Sequence, residues 1–364
     1  MKTKNSLFNV WCLLLALGLI TLNSCSKDDD PKPNDDGTKL TLPSSRVFIL
    51  NEGVFQKNNA GITFYAPNGD ASFIADVYSM QNGKGLGDTG QDMILYKDNI
   101  YVSVYGSSLL LKLNTAGVEQ KRLSFSKEDG QPRYLLGYEG KIYVTLYSGK
   151  VAKIDAETFT IEGYATVGAN PEGIAVANGF LCVANSGWGK GNTVTIIDAR
   201  SLLVTNTITV ATNPLKVVVS ENQFFVQGYG GAYPNFTYPV QRVDISTGAV
   251  TTIAKATHMC EYRGTIYMVY SDTDWKTNKA INTFSSYNVR TGTLNHSSFL
   301  KNMPDGLSTT TIYMLTVNPN NGDIYIGTRY PDAEGDIYRF DRNGTFIAKF
   351  SSGGINPNNA IFYN

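Results

Sequence analysis

Side chains of the types that do catalysis are few in this chain, and none stands at a spacing that a reaction would need. There are two His, His258 and His296, and four Cys, Cys12, Cys25, Cys182 and Cys260. No Cys/His pair has metal-ligand spacing, so no metal site is expected. His258 opens a strand-like apolar run with no nucleophile or second base at a recognisable distance in sequence, and is expected to be structural. Asp272 and Asp274 lie close together, but the pattern of a calcium loop is absent. The run GKGLGDTG (83–90) has the glycines of a phosphate loop without a strand–loop–helix setting or a Lys-Ser/Thr ending. It is expected to be a flexible connection. No catalytic residue and no required cofactor is assigned, and the protein is expected not to be an enzyme.

A different set of residues suits binding. Phe55, Tyr105, Tyr147, Trp188, Tyr229, Tyr233, Phe236, Tyr238, Trp275 and Tyr330 fall in connections such as NEGVFQKNNAG, SGWGKGN, GYGGAYPNFTYP, SDTDWKTNKAIN and RYPDAEG. Asn58, Asn59, Gln91, Arg133 and Arg329 are placed in the same set of loops. Aromatic bodies with polar tips fit a wide amphipathic ligand or a protein partner. Any one of the tyrosines could instead pack between neighbouring elements. Trp188 and Trp275, flanked by Gly and Lys, are expected to be exposed.

The elements that must carry these loops are strands. Tyr and Phe, at 22 and 17 residues, favour strands, and 35 Gly suit many turns. A hairpin recurs seven times, its first strand reading VFILNEG (47–53), IYVSVYG (100–106), IYVTLYS (142–148), LCVANSG (181–187), FFVQGYG (224–230), IYMVYSD (266–272) and IYIGTRY (324–330). Each is followed by a second strand, six of the seven ending in Asp or Asn, then a third and a fourth. Residues 46–364 thus hold seven units of about 46 residues, and no segment shows a sustained helical period. A four-stranded sheet cannot bury both faces alone, so the units must stack around an axis. The expected fold is all-β, a seven-bladed β-propeller over 46–364. The last residues, NAIFYN (359–364), have no hairpin after them and are expected to complete the first blade as its innermost strand. Connections from each innermost strand into the hairpin that follows it are minimal, whereas every long connection emerges at the opposite end. A rigid scaffold bearing varied loops on one face is how binding sites are usually built.

The N-terminus is a targeting segment. Lys2 and Lys4 precede the apolar run LFNVWCLLLALGLITL (7–22), and LNSC (22–25) has the spacing of a bacterial lipobox in which Cys25 receives lipid. The alternative is a short anchor that stays uncleaved. Residues 1–24 are read as a lipoprotein signal peptide and 25–45 as a lipid-anchored disordered tether, because SKDDDPKPNDDGTK (26–39) has no apolar residue to pack. Removing 1–24 takes away two of the 31 Lys and Arg and none of the 31 Asp and Glu, leaving a net charge of −2. That balance argues against nucleic acid as a partner, and membrane contact is expected through the lipid alone. Cys182 and Cys260 fall in different repeats and are read as separate buried thiols.

The hairpin IYVTLYSG…ID followed by VGANPEG (167–173) resembles the YVTN repeat of YncE-like, surface-layer-type propellers, over nearly all of 46–364. The lipobox with SKDDD, and the runs ILNEG, NNAGITFYAP, GDTGQDM, YGSS and EDGQPRY, are similar to the lipid-anchored surface propellers of gut Bacteroidetes that capture corrinoids (cobalamin). That resemblance implies an outer-membrane, cell-surface location, a corrinoid bound on the loop-rich face, and delivery to an outer-membrane transporter. Two other readings stand beside it: a protein- or glycan-binding surface scaffold, and a propeller hydrolase or lyase, which the shortage of His and convergent acids disfavours.

Overall fold

The structure, a computed structural model, describes residues 37–67, 72–274 and 279–363. Cys25, Trp275, the expected signal peptide and residues 25–36 of the expected tether lie outside the described residues.

The repeated hairpin forms as its sequence dictates. In Lys141–Leu146 and Lys150–Asp155, Ile142 pairs with Ile154 and Val144 with Ala152. These strands are almost wholly buried, because each blade is sandwiched between two neighbours. Outer strands alternate instead: Phe346–Ser351 presents every second residue to solvent. Among the described residues the strands make seven four-stranded antiparallel sheets. Blade 1 holds Arg46–Asn51, Gly61–Tyr65 and Phe73–Ile74; blades 2 to 7 span 90–124, 132–166, 171–209, 214–255, 258–295 and 311–351. Consecutive inner strands pack on one another around the whole ring. The ring closes as the sequence implies. Pro357–Tyr363 pairs with Arg46–Asn51, with Phe48 opposite Ile361, and so supplies the innermost strand of blade 1.

The tyrosine of the IYV hairpin explains why that motif repeats. Tyr101 and Tyr143 are buried between blades, and their hydroxyls donate to the carbonyls of Ala156 (3.2 Å) and Ala199 (2.7 Å) in the next blade. Each ring joins an apolar cluster shared by two blades, as where Tyr143 and Val151 meet Leu181, Val183 and Ile197. Burial of a ring of this size contributes about 2 kcal/mol. Cys182 and Cys260 are buried and unpaired.

Connections at the two ends differ as expected. Five turns from an innermost strand into the hairpin that follows it are two-residue turns with both central residues at positive φ: Lys97-Asp98, Glu139-Gly140, Asn178-Gly179, Glu221-Asn222 and Arg263-Gly264. Two local features depart from the sequence expectation. A short helix, Val77–Asn82, stands in the connection between blades 1 and 2, where only a loop was expected. Asp76 caps it by accepting from the Ser79 N–H (3.0 Å), and Gly83 ends it in the left-handed region. Six residues are too few to register as a helical period. Secondly, the propeller unit begins at Leu40. Leu40 packs against the first core cluster and donates its N–H to Gln81 of that helix (3.1 Å), and Leu42 is buried beside it. Residues 40–45, within the segment read as tether, carry two apolar side chains and use them.

Candidate functional site

The site begins with an irregularity in the inner strands. In six of them the register slips near the loop-rich end, so that one or two residues are left unopposed. The unopposed residues are Gln91, Arg133 and Tyr134, Glu172 and Gly173, Leu215, Tyr313 and Asn358. A bulge of this kind re-aims a side chain. Apart from Gly173, all of them line one cavity of about 770 Å³ on the propeller axis. In four strands the bulge follows a proline at the first position, in QPRY (131–134), NPEG (170–173), NPLK (213–216) and NPNN (356–359). Each proline faces a residue of the neighbouring strand but has no N–H to give the ladder, and the register slips directly after it.

Two groups built from the same residue types flank the mouth of this cavity. In the first, Arg133 donates to Glu172 through Nε (2.9 Å) and Nη2 (2.8 Å), and to Gln91 Oε1 through Nη1. The Tyr147 hydroxyl also donates to Glu172. The guanidinium lies over the rings of Tyr147 (4.7 Å), Tyr105 (5.1 Å) and Tyr134 (5.8 Å). Burial works against its charge. Glu172, Tyr134 and Tyr147 overcome that and hold its pKa above the ordinary value. In the second group the Tyr313 hydroxyl donates to Glu52, and Arg329 lies 5.5 Å over the Tyr313 ring. Burial pushes the Glu52 carboxyl above its ordinary pKa, and Tyr313, Arg133 and Arg329 offset only part of that; burial likewise raises Glu172 against the pull of Arg133 and Tyr147.

Deeper in the cavity, Asp92 accepts from the Leu135 N–H (2.8 Å) and from Asn359 Nδ2 (2.6 Å), and burial raises its pKa. His258 lines the cavity but is buried, which drops its pKa to about 4, with the nearby Lys216 adding to the fall. It is therefore neutral at physiological pH, and among the described residues its one side-chain hydrogen-bond partner is the hydroxyl of the adjacent Thr257, at 3.3 Å.

Above the first group the rim aromatics form a row. Phe55, Tyr105, Tyr147 and Trp188 come from the corresponding loops of blades 1 to 4, with ring centroids stepping by 6.2, 5.5 and 5.8 Å. Trp188 is 70% exposed and holds a left-handed backbone (φ 55°, ψ 46°), which a bulky side chain rarely adopts. A second cluster gathers on blade 5, where Tyr229 lies 4.8 Å from Phe236 and 5.4 Å from Tyr238, and Tyr233 reaches Phe236 at 6.1 Å.

Of the residues singled out in sequence, Phe55, Tyr105, Tyr147 and Trp188 come together in the row, and Tyr229 and Arg329 line the cavity. Gln91 and Arg133, placed in loops by the sequence, stand on the inner strands Gly90–Tyr96 and Pro132–Tyr138 and face the axis. Asn59 holds its own loop by accepting from the Val54 N–H (2.8 Å), and Asn58 is exposed beside it. Tyr330 turns into blade 7, donating to Asp336 (2.6 Å). Sequence reasoning missed Glu52, Asp92, Glu172, Lys216 and Tyr313. The Asn/Gln-Pro-x signal at four inner-strand starts would have found Glu172, and Lys216 stands one residue beyond it. At the opposite end a smaller depression of about 440 Å³ between blades 2 and 3, lined by Lys97, Lys112, Glu139, Lys141 and Asp155, shows that face to be less plain than expected.

None of the curated proteins matches this chain. Solved structures share its fold at low identity. A protein of unknown function from Desulfotomaculum acetoxidans is 14% identical, with 88% of this chain and 99% of that one covered at a TM-score of 0.59. Hydrazine synthase of Kuenenia stuttgartiensis is 15% identical over 68% of this chain and 74% of that one, at 0.56. The computationally designed Ika8 protein is 12% identical over 88% and 90%, at 0.52. At such identity these likenesses speak for the fold alone. The family model described as a domain of unknown function, DUF5074, matches residues 46–362, and the chain belongs to that family.

Proposed function

We propose that this propeller is a non-enzymatic ligand-binding lipoprotein of the cell surface, and that its loop-rich face receives a corrinoid. The observation that carries this reading is the row Phe55–Tyr105–Tyr147–Trp188, four rings from four successive blades in near-contact beside a polar cavity. A corrin is wide, with apolar edges that suit such rings and amide arms that need both donors and acceptors. Arg329, Gln91, Glu52 and Asn358 offer both at the cavity. The unusual backbone of Trp188 is consistent with a residue kept for contact and not for packing. Anchoring through Cys25, an outer-membrane location and hand-over to a transporter belong to the same proposal and rest on the lipobox and the sequence resemblance. No cofactor beyond the ligand is invoked.

The test is gel filtration of purified protein with cyanocobalamin at micromolar concentrations. Co-elution of the corrin absorbance with protein is expected, and a colourless protein peak overturns the corrinoid reading. The spread of the aromatic row over four blades favours one alternative, a protein- or glycan-binding scaffold, which such a colourless peak would leave standing.

A further inference from the structure

The carboxylates in the axial cavity are engaged by the protein itself, whereas two of its three cations are not. Glu172 is taken by Arg133 and Tyr147, Asp92 by Asn359 and the Leu135 N–H, and Glu52 by Tyr313. Glu261 accepts from the Gly264 N–H (2.8 Å) and the Ser220 hydroxyl (3.0 Å). Arg133 is matched by Glu172. Lys216 and Arg329 remain. Both line the cavity and both are exposed; among the described residues neither forms an ion pair, and Arg329 has only the Tyr313 ring beneath it.

Several long cations elsewhere in the molecule have found partners. Lys112 donates to the Ala156 carbonyl (2.6 Å), Lys141 pairs with Asp155 and Glu162, and Arg339 pairs with Asp323 (2.6 Å). An exposed cation on an outer edge needs no explanation. Two that line a concave space, near enough to act on Asp92 and Glu52 but with no ion-pair contact to either, offer charge-assisted donors that no acceptor among the described residues takes up. Burial, by raising the pKa of Asp92 and Glu52, also weakens the opposing negative charge.

We propose that the axial cavity is an anion subsite, in which Lys216 and Arg329 hold a phosphate or carboxylate group of the ligand that the loop-rich face receives. This rests on the reading of that face as a binding face, but not on the ligand being a corrinoid. A ligand seated there spans two environments, rings at the rim and cations on the axis.

The test titrates inorganic phosphate and, in a separate arm, succinate into the purified protein at constant ionic strength, followed by calorimetry and by the thermal midpoint. Saturable binding of one or both is expected, and the arm that responds names the anion. K216M and R329Q should each weaken it about tenfold, as loss of a charge-assisted hydrogen bond does, and K216R should retain it. Both positions are exposed, so the variants should fold like the parent. No saturable response to either anion, or equal affinity in parent, K216M and R329Q, overturns the subsite. A parallel arm compares cyanocobalamin, which carries a phosphodiester, with dicyanocobinamide, which lacks it. If both corrinoids bind, K216M should weaken the first and leave the second within about twofold; equal weakening overturns the subsite. If phosphate saturates while neither corrinoid binds, the corrinoid reading fails and the anion subsite stands.

Discussion

The two Arg–Glu–Tyr groups at the cavity mouth use the same three residue types and differ in whether the guanidinium meets the carboxylate. Around Glu172 the guanidinium of Arg133 meets the carboxylate directly, with two nitrogens on one oxygen, and three tyrosine rings close over it. Around Glu52 the guanidinium of Arg329 stays on the ring of Tyr313 and leaves the carboxyl to the hydroxyl alone. The cause is in the bulges. Arg133 and Glu172 are both unopposed residues of adjacent inner strands, so they point at each other across the axis. Glu52 and Arg329 stand instead at the ends of the hairpins' first strands, Glu52 just after Arg46–Asn51 and Arg329 as the last residue of Ile324–Arg329. The closed group thereby becomes part of the scaffold beneath the aromatic row, and the open group keeps its polar atoms for something that enters.

This contrast can be broken by substitution. The largest effect is expected from Glu172→Ala, which leaves the Arg133 guanidinium without its partner among partly buried rings. Stability should fall by about 3–5 kcal/mol, read by urea unfolding. A loss below about 1 kcal/mol would mean that the pair does not hold the mouth together. Next comes Trp188→Ala. The ring is exposed and ends the row, so folding stability should stay within about 0.5 kcal/mol. Ligand affinity should drop by about 1–2 kcal/mol, and unchanged affinity removes Trp188 from the binding surface.

The smallest and most discriminating change is Glu52→Gln. Burial raises the Glu52 pKa in the folded state, so between its ordinary value of 4.5 and its folded value the folded protein binds more protons than the unfolded chain. Stability from this group therefore declines as pH rises through that window, and the cost is fully present above it. A neutral amide at this position carries no such cost. The variant should match the parent near pH 4 and gain on it by up to about 1 kcal/mol towards neutrality, followed by thermal midpoints across pH. A variant less stable than the parent at neutral pH would show that Tyr313 and Arg329 hold Glu52 as an anion despite its burial.

Much of the scaffold was legible in the residues. Seven copies of the IYV-type hairpin, the Asp or Asn closing the second strand, and a lone NAIFYN after the last hairpin led to seven blades and a C-terminal closing strand. Local pairing and turn chemistry impose these without help from distant parts of the chain. The helix Val77–Asn82 was not legible, because six residues with one cap carry too little periodicity. The candidate site was legible in halves. Rim aromatics were found by loop length and composition, but Glu52 and Asp92 were passed over at the edges of loops, Tyr313 was not singled out, and Gln91 and Arg133 were assigned to loops.

What the sequence determined by itself is the unit and its count, since strand, turn and hairpin are set by neighbours within one repeat. The tertiary structure decided which side chains meet. Only when seven inner strands converge on one axis do their bulges point at a common space, and only there do residues about 40 positions apart become a donor and its acceptor, as Arg133 and Glu172 do. Convergence of that kind is a property of the ring, and no single repeat contains it.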